Sequence, residues 1–273
     1  MTELLYQTNS YLKNFDATVK ALDAENHAIL LDKTAFYPGG GGQSFDLGLI
    51  RWIKSFNGLI IQNELPIDTG SIWWDKQAIP IKRAKNIGGE VWHYLAEESA
   101  LPPIGAKVSG EIDWERRYKT MRTHTAMHIL CGVVFRDYGA LVTGGDMEPL
   151  LGRMDFEFES MSADLVKVIE TAINKEVAAA REIKVAILPR EEAFQIPDLI
   201  RTKINLLPAG INNIRTVEIV GLDLQADGGT HVSNTREVGV LRISDYKSKG
   251  KINKRIYLEI SDPVNTNKIS AGD

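Results

Sequence analysis

Two histidines four residues apart stand in the run Met121-Arg122-Thr123-His124-Thr125-Ala126-Met127-His128. On a helix this spacing puts both rings on one face, about one turn apart, as two ligands of a single metal ion require. Far downstream, Asp227-Gly228-Gly229-Thr230-His231 sets a carboxylate and an imidazole around two glycines, which permit a tight turn and a close backbone approach. Each motif has a plainer explanation. Most H-x-x-x-H pairs are surface or core histidines, and Asp-Gly is a common turn dipeptide. Taken together they make a four-ligand site credible, with two ligands from a helix and two from a distant turn. Zinc accepts such nitrogen and oxygen donors in tetrahedral geometry. A metalloprotease would carry a Glu after the first histidine as general base; Thr125 stands there, which disfavours a peptidase.

Such residues need elements that hold them. Residues 117 to about 137 suit one long helix, with no proline and with Gly132 as its only interior glycine. Residues 153–159 alternate as a strand: Met154, Phe156 and Phe158 face one way, Arg153, Asp155, Glu157 and Glu159 the other. Ser162 reads as the N-cap of a second helix, whose stripe of Leu165, Val166, Ile169, Ala172, Ile173 and Val177 runs to about residue 181. Residues 183–188, 215–220 and 238–243 read as strands. Residues 252–260 pair with a preceding strand through Lys247-Ser248-Lys249-Gly250. The first 90 residues read mainly as β-structure, with short apolar runs at 28–31, 49–53 and 58–61. A small β-barrel buries many short strands economically. Residues 91–98 suit a helical turn, broken by Leu101-Pro102-Pro103, and 107–112 another strand. The expected class is therefore α+β, helices packed on a largely antiparallel sheet, preceded by a β-barrel. At 273 residues, two domains are expected, 1–115 and 116–273.

Composition narrows the classes further. Hydrophobic residues make up 44%, which argues against a disordered chain. No apolar stretch is long enough for a membrane span or, at the N-terminus, for a signal peptide. Cys131 is the only cysteine, which excludes an intrachain disulfide and fits a reducing cytoplasm. The net charge of −4 does not by itself suggest nucleic acid. Charge is uneven, however. Arg116, Arg117, Lys119 and Arg122 form one basic cluster, and Lys247, Lys249, Lys251, Lys254 and Arg255 a second. Either could touch phosphates; the bland alternative is a solvated basic face.

Three runs carry a resemblance: Asp113-Trp114-Glu115-Arg116-Arg117-Tyr118, then residues 121–130 around the histidine pair, then Gln225-Ala226-Asp227-Gly228-Gly229-Thr230-His231-Val232. They resemble the AlaX proteins, free-standing relatives of the editing domain of alanyl-tRNA synthetase. Tyr37-Pro38-Gly39-Gly40-Gly41-Gly42-Gln43 resembles the glycine-rich motif of their N-terminal barrel. The resemblance implies hydrolysis, in trans, of the ester joining a wrong amino acid to alanine tRNA. Serine is the chief such amino acid, and glycine a further one in some members. It implies one zinc ion at the positions of His124, His128, Asp227 and His231, with the three histidines catalytic. The implied partner is the acceptor end of a mischarged tRNA. Thr143, Gly41, Gly42 and Gln43 are the candidate substrate-side residues, and Arg116, Arg117, Lys119 and Arg122 the candidate tRNA contacts.

Three departures stand out. The family commonly has Cys where this chain has Asp227, and often Thr where it has Met127. Residues 142–146 differ from the Gln-x-Gly-Ser pattern of the synthetases. Asp227 could ligate the metal as a harder donor, could support a histidine instead, or could leave the place to Cys131. The rival readings are a metal-free tRNA-binding relative and an editing enzyme for another aminoacyl-tRNA, such as Ser-tRNA(Thr).

Overall fold

A computed structural model of the chain describes residues 1–53, 76–203, 207 and 210–262. The expected strand at 58–61 lies outside the described residues. The chain forms two compact units, Met1–Gly39 with Phe45–Trp114, and Gly40–Ser44 with Glu115–Asp273.

The first unit holds β1 (Glu3–Leu4), β2 (Asn14–Asp23), β3 (Ala28–Leu31), β4 (Lys33–Thr34), β5 (Gly48–Ile53), β6 (Lys76–Ile87), β7 (Glu90–Leu95) and β8 (Lys107–Ile112). The short β1 and β4 pair in parallel. The other six pair antiparallel in the order β2-β3-β7-β6-β5-β8, and β8 pairs in turn with β2. Alternation explains this: on β8 every second residue is buried. Phe15, Val19, Ile29, Leu31, Phe36 and Ile50 supply much of the core.

The helical turn expected at 91–98 is instead strand β7. Val91, His93 and Leu95 point inward and alternate with half-buried Glu90, Trp92 and Tyr94. A histidine at an inward position broke the apolar alternation that marks a strand. His93 is fully buried, with Nε2 2.8 Å from Thr34 Oγ1 and Nδ1 3.4 Å from Ile29 O. Burial lowers its pKa from the usual 6.5 to about 4. Between those two values the unfolded chain takes up a proton that the folded chain refuses. Stability is therefore full above about pH 6.5 and falls as pH drops towards 4. At 1.36 kcal/mol per unit the loss approaches about 3 kcal/mol. Urea unfolding at pH 7 and pH 5 should show a smaller pH dependence in His93→Gln than in wild type; equal dependence removes His93 as the cause.

The second unit is built on α1 (Trp114–Tyr138), β9 (Val142–Glu148), β10 (Leu151–Glu157), α2 (Ala163–Ala178), β11 (Ile183–Pro189), α3 (Arg190–Ala193), β12 (Asn213–Ile219), β13 (Asp223–Ala226), β14 (Val240–Ser248) and β15 (Asn253–Ser261). Two antiparallel sheets result, β14-β15-β10-β9 and β11-β12-β13. Ser162 caps α2 as expected, its hydroxyl accepting the Leu165 N–H at 3.2 Å. Val238 belongs to a short 3-10 turn, Thr235–Val238, not to the strand. A capping box of Asn234 and Glu237 sets that turn.

Helix α1 has no amphipathic stripe because it has almost no wet face: every residue from Thr120 to Val134 is buried. Thr123 Oγ1 accepts the Leu150 N–H and donates to Glu148 O, tying the helix to the β9–β10 turn. Thr125 Oγ1 accepts the Val232 N–H from beyond β13. The histidines between and beside these threonines are thereby fixed in depth.

Candidate metal centre

His124, His128 and His231 bring their rings together in the second unit. Ring centroids lie 5.1 Å apart for His124 and His128, 4.2 Å for His124 and His231, and 4.7 Å for His128 and His231. Asp227 completes the group: Oδ1 is 3.4 Å from His124 Nε2, and Oδ2 is 3.0 Å from His231 Nε2. One ligand atom from each of the four lies within 4.8 Å of the others, so the cluster could hold a metal ion. Neutral imidazoles with a carboxylate are donors that zinc accepts.

Each ring is held from behind. His124 Nδ1 is 2.9 Å from Gln43 Oε1. That oxygen also accepts the Thr230 N–H at 3.0 Å, and Gln43 Nε2 donates to Thr230 Oγ1 at 2.9 Å, so the amide cannot be turned over. His124 Nδ1 must therefore carry the proton, which leaves Nε2 free as a donor to metal. His128 Nδ1 faces Asp223 Oδ2 at 3.3 Å, and His231 Nδ1 faces Thr125 Oγ1 at 3.1 Å. Outer partners of this kind choose the tautomer and the ring orientation of a metal-binding histidine.

The turn that delivers Asp227 and His231 is shaped by its own bonds. Asp227 Oδ2 accepts the Gly229 N–H at 2.8 Å, an Asx turn. Arg215 of β12 donates from Nη1 to Asp227 O at 2.9 Å and accepts the Asp227 N–H at 3.0 Å on its own carbonyl. Gly229 passes so close to His124 and Gln43 that an added Cβ would fall on both.

Burial pushes the pKa of His124 well below its ordinary value and that of His231 down to about 4, so both are neutral near pH 7. Burial also opposes charge on His128, but its hydrogen bond to Asp223 and the charge of Asp227 outweigh that and raise its pKa. For Asp227 burial favours the neutral form, yet the histidines around it, His124 foremost, hold it well below the usual carboxylate range. The cluster opens on a cavity of about 690 Å³ lined also by Gly41, Gly42, Gly144, Met154, Arg201 and Lys203. That volume suits a small organic group rather than a single ion.

Residues 214–257 match the family described as the threonyl and alanyl tRNA synthetase second additional domain. The chain is 38% identical over 260 residues to the alanyl-tRNA editing protein AlaX-M of Saccharolobus solfataricus, covering 95% of this chain and 99% of that one. The chain belongs to the AlaX-M family. The AlaX-M of Methanosarcina mazei is 32% identical over 268 residues, 96% of this chain and 98% of that protein. The alanine–tRNA ligase of Saccharolobus islandicus is 33% identical over 248 residues, 89% of this chain and 25% of the ligase.

Within this AlaX-M chain, the residues expected from the sequence separate. His124, His128, Asp227 and His231 come together. Cys131 is buried, and burial pushes its thiol pKa up, so it resists forming the thiolate that metal needs. Gly41 and Gly42 line the cavity. Residues 39–42 all have φ between 58° and 136°, a run only glycines adopt cheaply. Gln43 requires a correction. It is 3% exposed, and both the oxygen and the nitrogen of its amide are engaged with His124 and Thr230, so its place is in supporting the cluster. Thr143 lies on the cavity wall but is exposed, and its hydroxyl donates to Asn253 Oδ1 at 3.0 Å.

The first basic cluster divides, which corrects half of it as a phosphate surface. Arg117 is fully buried. Arg122 is buried too, donating to Val238 O at 2.9 Å and Ser261 O at 3.3 Å and pairing with Asp262 at 2.8 Å. Arg116 and Lys119 are partly exposed; Arg116 donates to Ser44 Oγ at 3.0 Å and faces Glu148, and Lys119 pairs with Glu115. The second cluster divides likewise. Lys254 is buried against Gly250 O and Lys251 O, and Arg255 binds Asp155 with two bonds, at 2.6 and 2.8 Å.

Sequence reasoning missed Asp223, Gln225 and Arg201. A signal existed: Asp223 and Gln225 alternate along β13, so their side chains share one face of the strand that leads into Asp227.

Proposed function

We propose that the protein is a zinc-dependent hydrolase that clears mischarged tRNA(Ala) in trans, chiefly Ser-tRNA(Ala) and also Gly-tRNA(Ala). The observation that carries this reading is the convergence of three imidazoles and a carboxylate, of which His124, His128 and Asp227 line a cavity sized for an organic group. AlaX-M membership supplies the substrate class. His124, His128, Asp227 and His231 hold the ion. A bound zinc would polarise the ester carbonyl, activate a water, or fix the free α-amino group of the substrate. The chain's own part is orientation. Gln43, Asp223 and Thr125 aim the rings, and the Gly229 N–H steadies the carboxylate of Asp227.

Gly41, Gly42 and Gly144 line the cavity without side-chain bulk, leaving room for the esterified amino acid. A site that hydrogen-bonds the serine hydroxyl rejects alanine, which would leave buried polar groups unpaired. Thr143, on the cavity wall, is our candidate to meet that hydroxyl, since its oxygen can still accept while it donates to Asn253. Arg116 and Lys119 are the candidate tRNA contacts that stay accessible. We read the ring of six strands in residues 1–115 as the small barrel of the family, and residues 116–273 as the editing domain.

The test is deacylation of Ser-, Gly- and Ala-tRNA(Ala) with and without a chelator, beside metal analysis. We expect hydrolysis of the serine ester, sparing of the alanine ester, and loss of activity on chelation that zinc restores. Absence of both bound metal and deacylation would leave a metal-free tRNA-binding relative. Cleavage of Ser-tRNA(Thr) without Ser-tRNA(Ala) would assign another substrate.

A further inference from the structure

Of the three ring nitrogens that face away from the cluster, only one meets a carboxylate. Gln43 supplies an amide oxygen to His124, and Thr125 a hydroxyl to His231. His128 has Asp223 at 3.3 Å. The Asp223 side chain is wholly buried, and a lone carboxylate there would be costly. The protein has built it a complete set of partners. Oδ1 faces Arg201 Nε at 3.3 Å, and Oδ2 accepts from Gln225 Nε2 at 2.6 Å as well as facing His128. Arg201 is itself anchored: its Nη1 donates to Asp198 O at 2.8 Å, and its guanidinium lies 3.9 Å from the centre of the Phe135 ring on α1.

We infer that Asp223, held by Arg201 and Gln225, is a positioning residue that keeps His128 in the tautomer and orientation needed to bind the metal ion. The inference rests on the metal reading above and extends it to a residue outside the four ligands. Asp223 does not itself line the cavity, and of the four proposed ligands its side chain meets only His128, so substrate contact does not explain it. A carboxylate on Nδ1 accepts that nitrogen's proton in a hydrogen bond, leaves the Nε2 lone pair for the metal, and strengthens it as a donor. His128 needs such a clamp more than its neighbours. His124 is wedged by Gly229 and Gln43, whereas among the described residues the His128 Nδ1 meets, besides Asp223, only Gln225, at 3.4 Å.

The test is metal binding by the full-length protein, stripped of metal and titrated with zinc and with cobalt(II) against a competing chelator. Asp223→Ala should bind zinc about 10- to 100-fold more weakly than wild type, the range for losing such a partner. Its cobalt(II) complex should show a shifted visible absorption spectrum, because the ring is no longer held. Asp223→Asn, whose amide oxygen can still accept the Nδ1 proton, should recover much of the affinity and keep the wild-type spectrum. The Asn variant also guards against a fold lost to a buried, truncated side chain. Wild-type affinity and spectrum in both variants would overturn the inference. So would equal losses in the two, since position and charge would then be inseparable from packing. Failure of wild type itself to bind metal would overturn the metal reading instead.

Discussion

Replacement of His231 with alanine is expected to reduce deacylation to background and to weaken zinc binding by more than about a hundredfold, beyond the loss of a mere supporting partner. His231 ties the turn to the helix through both of its ring nitrogens. Its Nε2 meets Asp227 at 3.0 Å and its Nδ1 meets Thr125 of α1 at 3.1 Å. Without the ring, Asp227 loses one neighbour that keeps its charge, and the remaining imidazoles lose the partner stacked at 4.2 Å from His124. The ring is neutral near pH 7, because burial has lowered its pKa to about 4, so its removal takes away a donor ready for metal rather than a fixed charge. Chelator competition and a deacylation assay on Ser-tRNA(Ala) give the answer. A His231→Ala protein with full activity and one bound zinc would refute the metal role.

Gly229→Ala is the second substitution with a large expected effect, and Gly228→Ala is its control. An added methyl at 229 lands on the imidazole of His124 and on Gln43 Oε1, while one at 228 meets nothing within 4 Å. Neither glycine has the positive φ that would penalise alanine by itself. The two variants therefore share their backbone chemistry and differ in whether a ligand is displaced. Overpacking costs about 1–3 kcal/mol in stability, and here it falls on the bond that fixes the His124 tautomer. We expect Gly229→Ala to lose most zinc affinity and activity, and Gly228→Ala to keep both. Equal behaviour of the pair would show that the close approach at 229 does not hold His124 in place.

Much of this site was legible in the chain. The four-residue spacing of His124 and His128 needs only helix geometry to become a shared face, and α1 supplies it. The strand at 107–112 was readable because alternate burial writes a period of two into the sequence, and the one near 153–159 because its apolar and polar residues alternate, although Asp155 is buried along with Met154 and Phe156. Strand β7 was not, since His93 occupies an inward position where an apolar residue is expected. The basic cluster at 116–122 misled for a related reason. Charge says nothing about depth, and Arg117 and Arg122 are buried structural residues.

The sequence by itself determined the types of the candidate ligands, their spacing on helix and turn, and the family. All of these depend on residues near one another in the chain, where helix and turn geometry are enough. Only the tertiary structure decided what stands behind each ring: Gln43 behind His124, Asp223 behind His128, Thr125 behind His231. Gln43 reaches His124 across 81 residues of chain, and Asp223 and His128 belong to separate elements. No local periodicity encodes such pairs. They exist because burying a histidine requires a partner for its second nitrogen, and folding supplies whichever polar group the packing brings within reach.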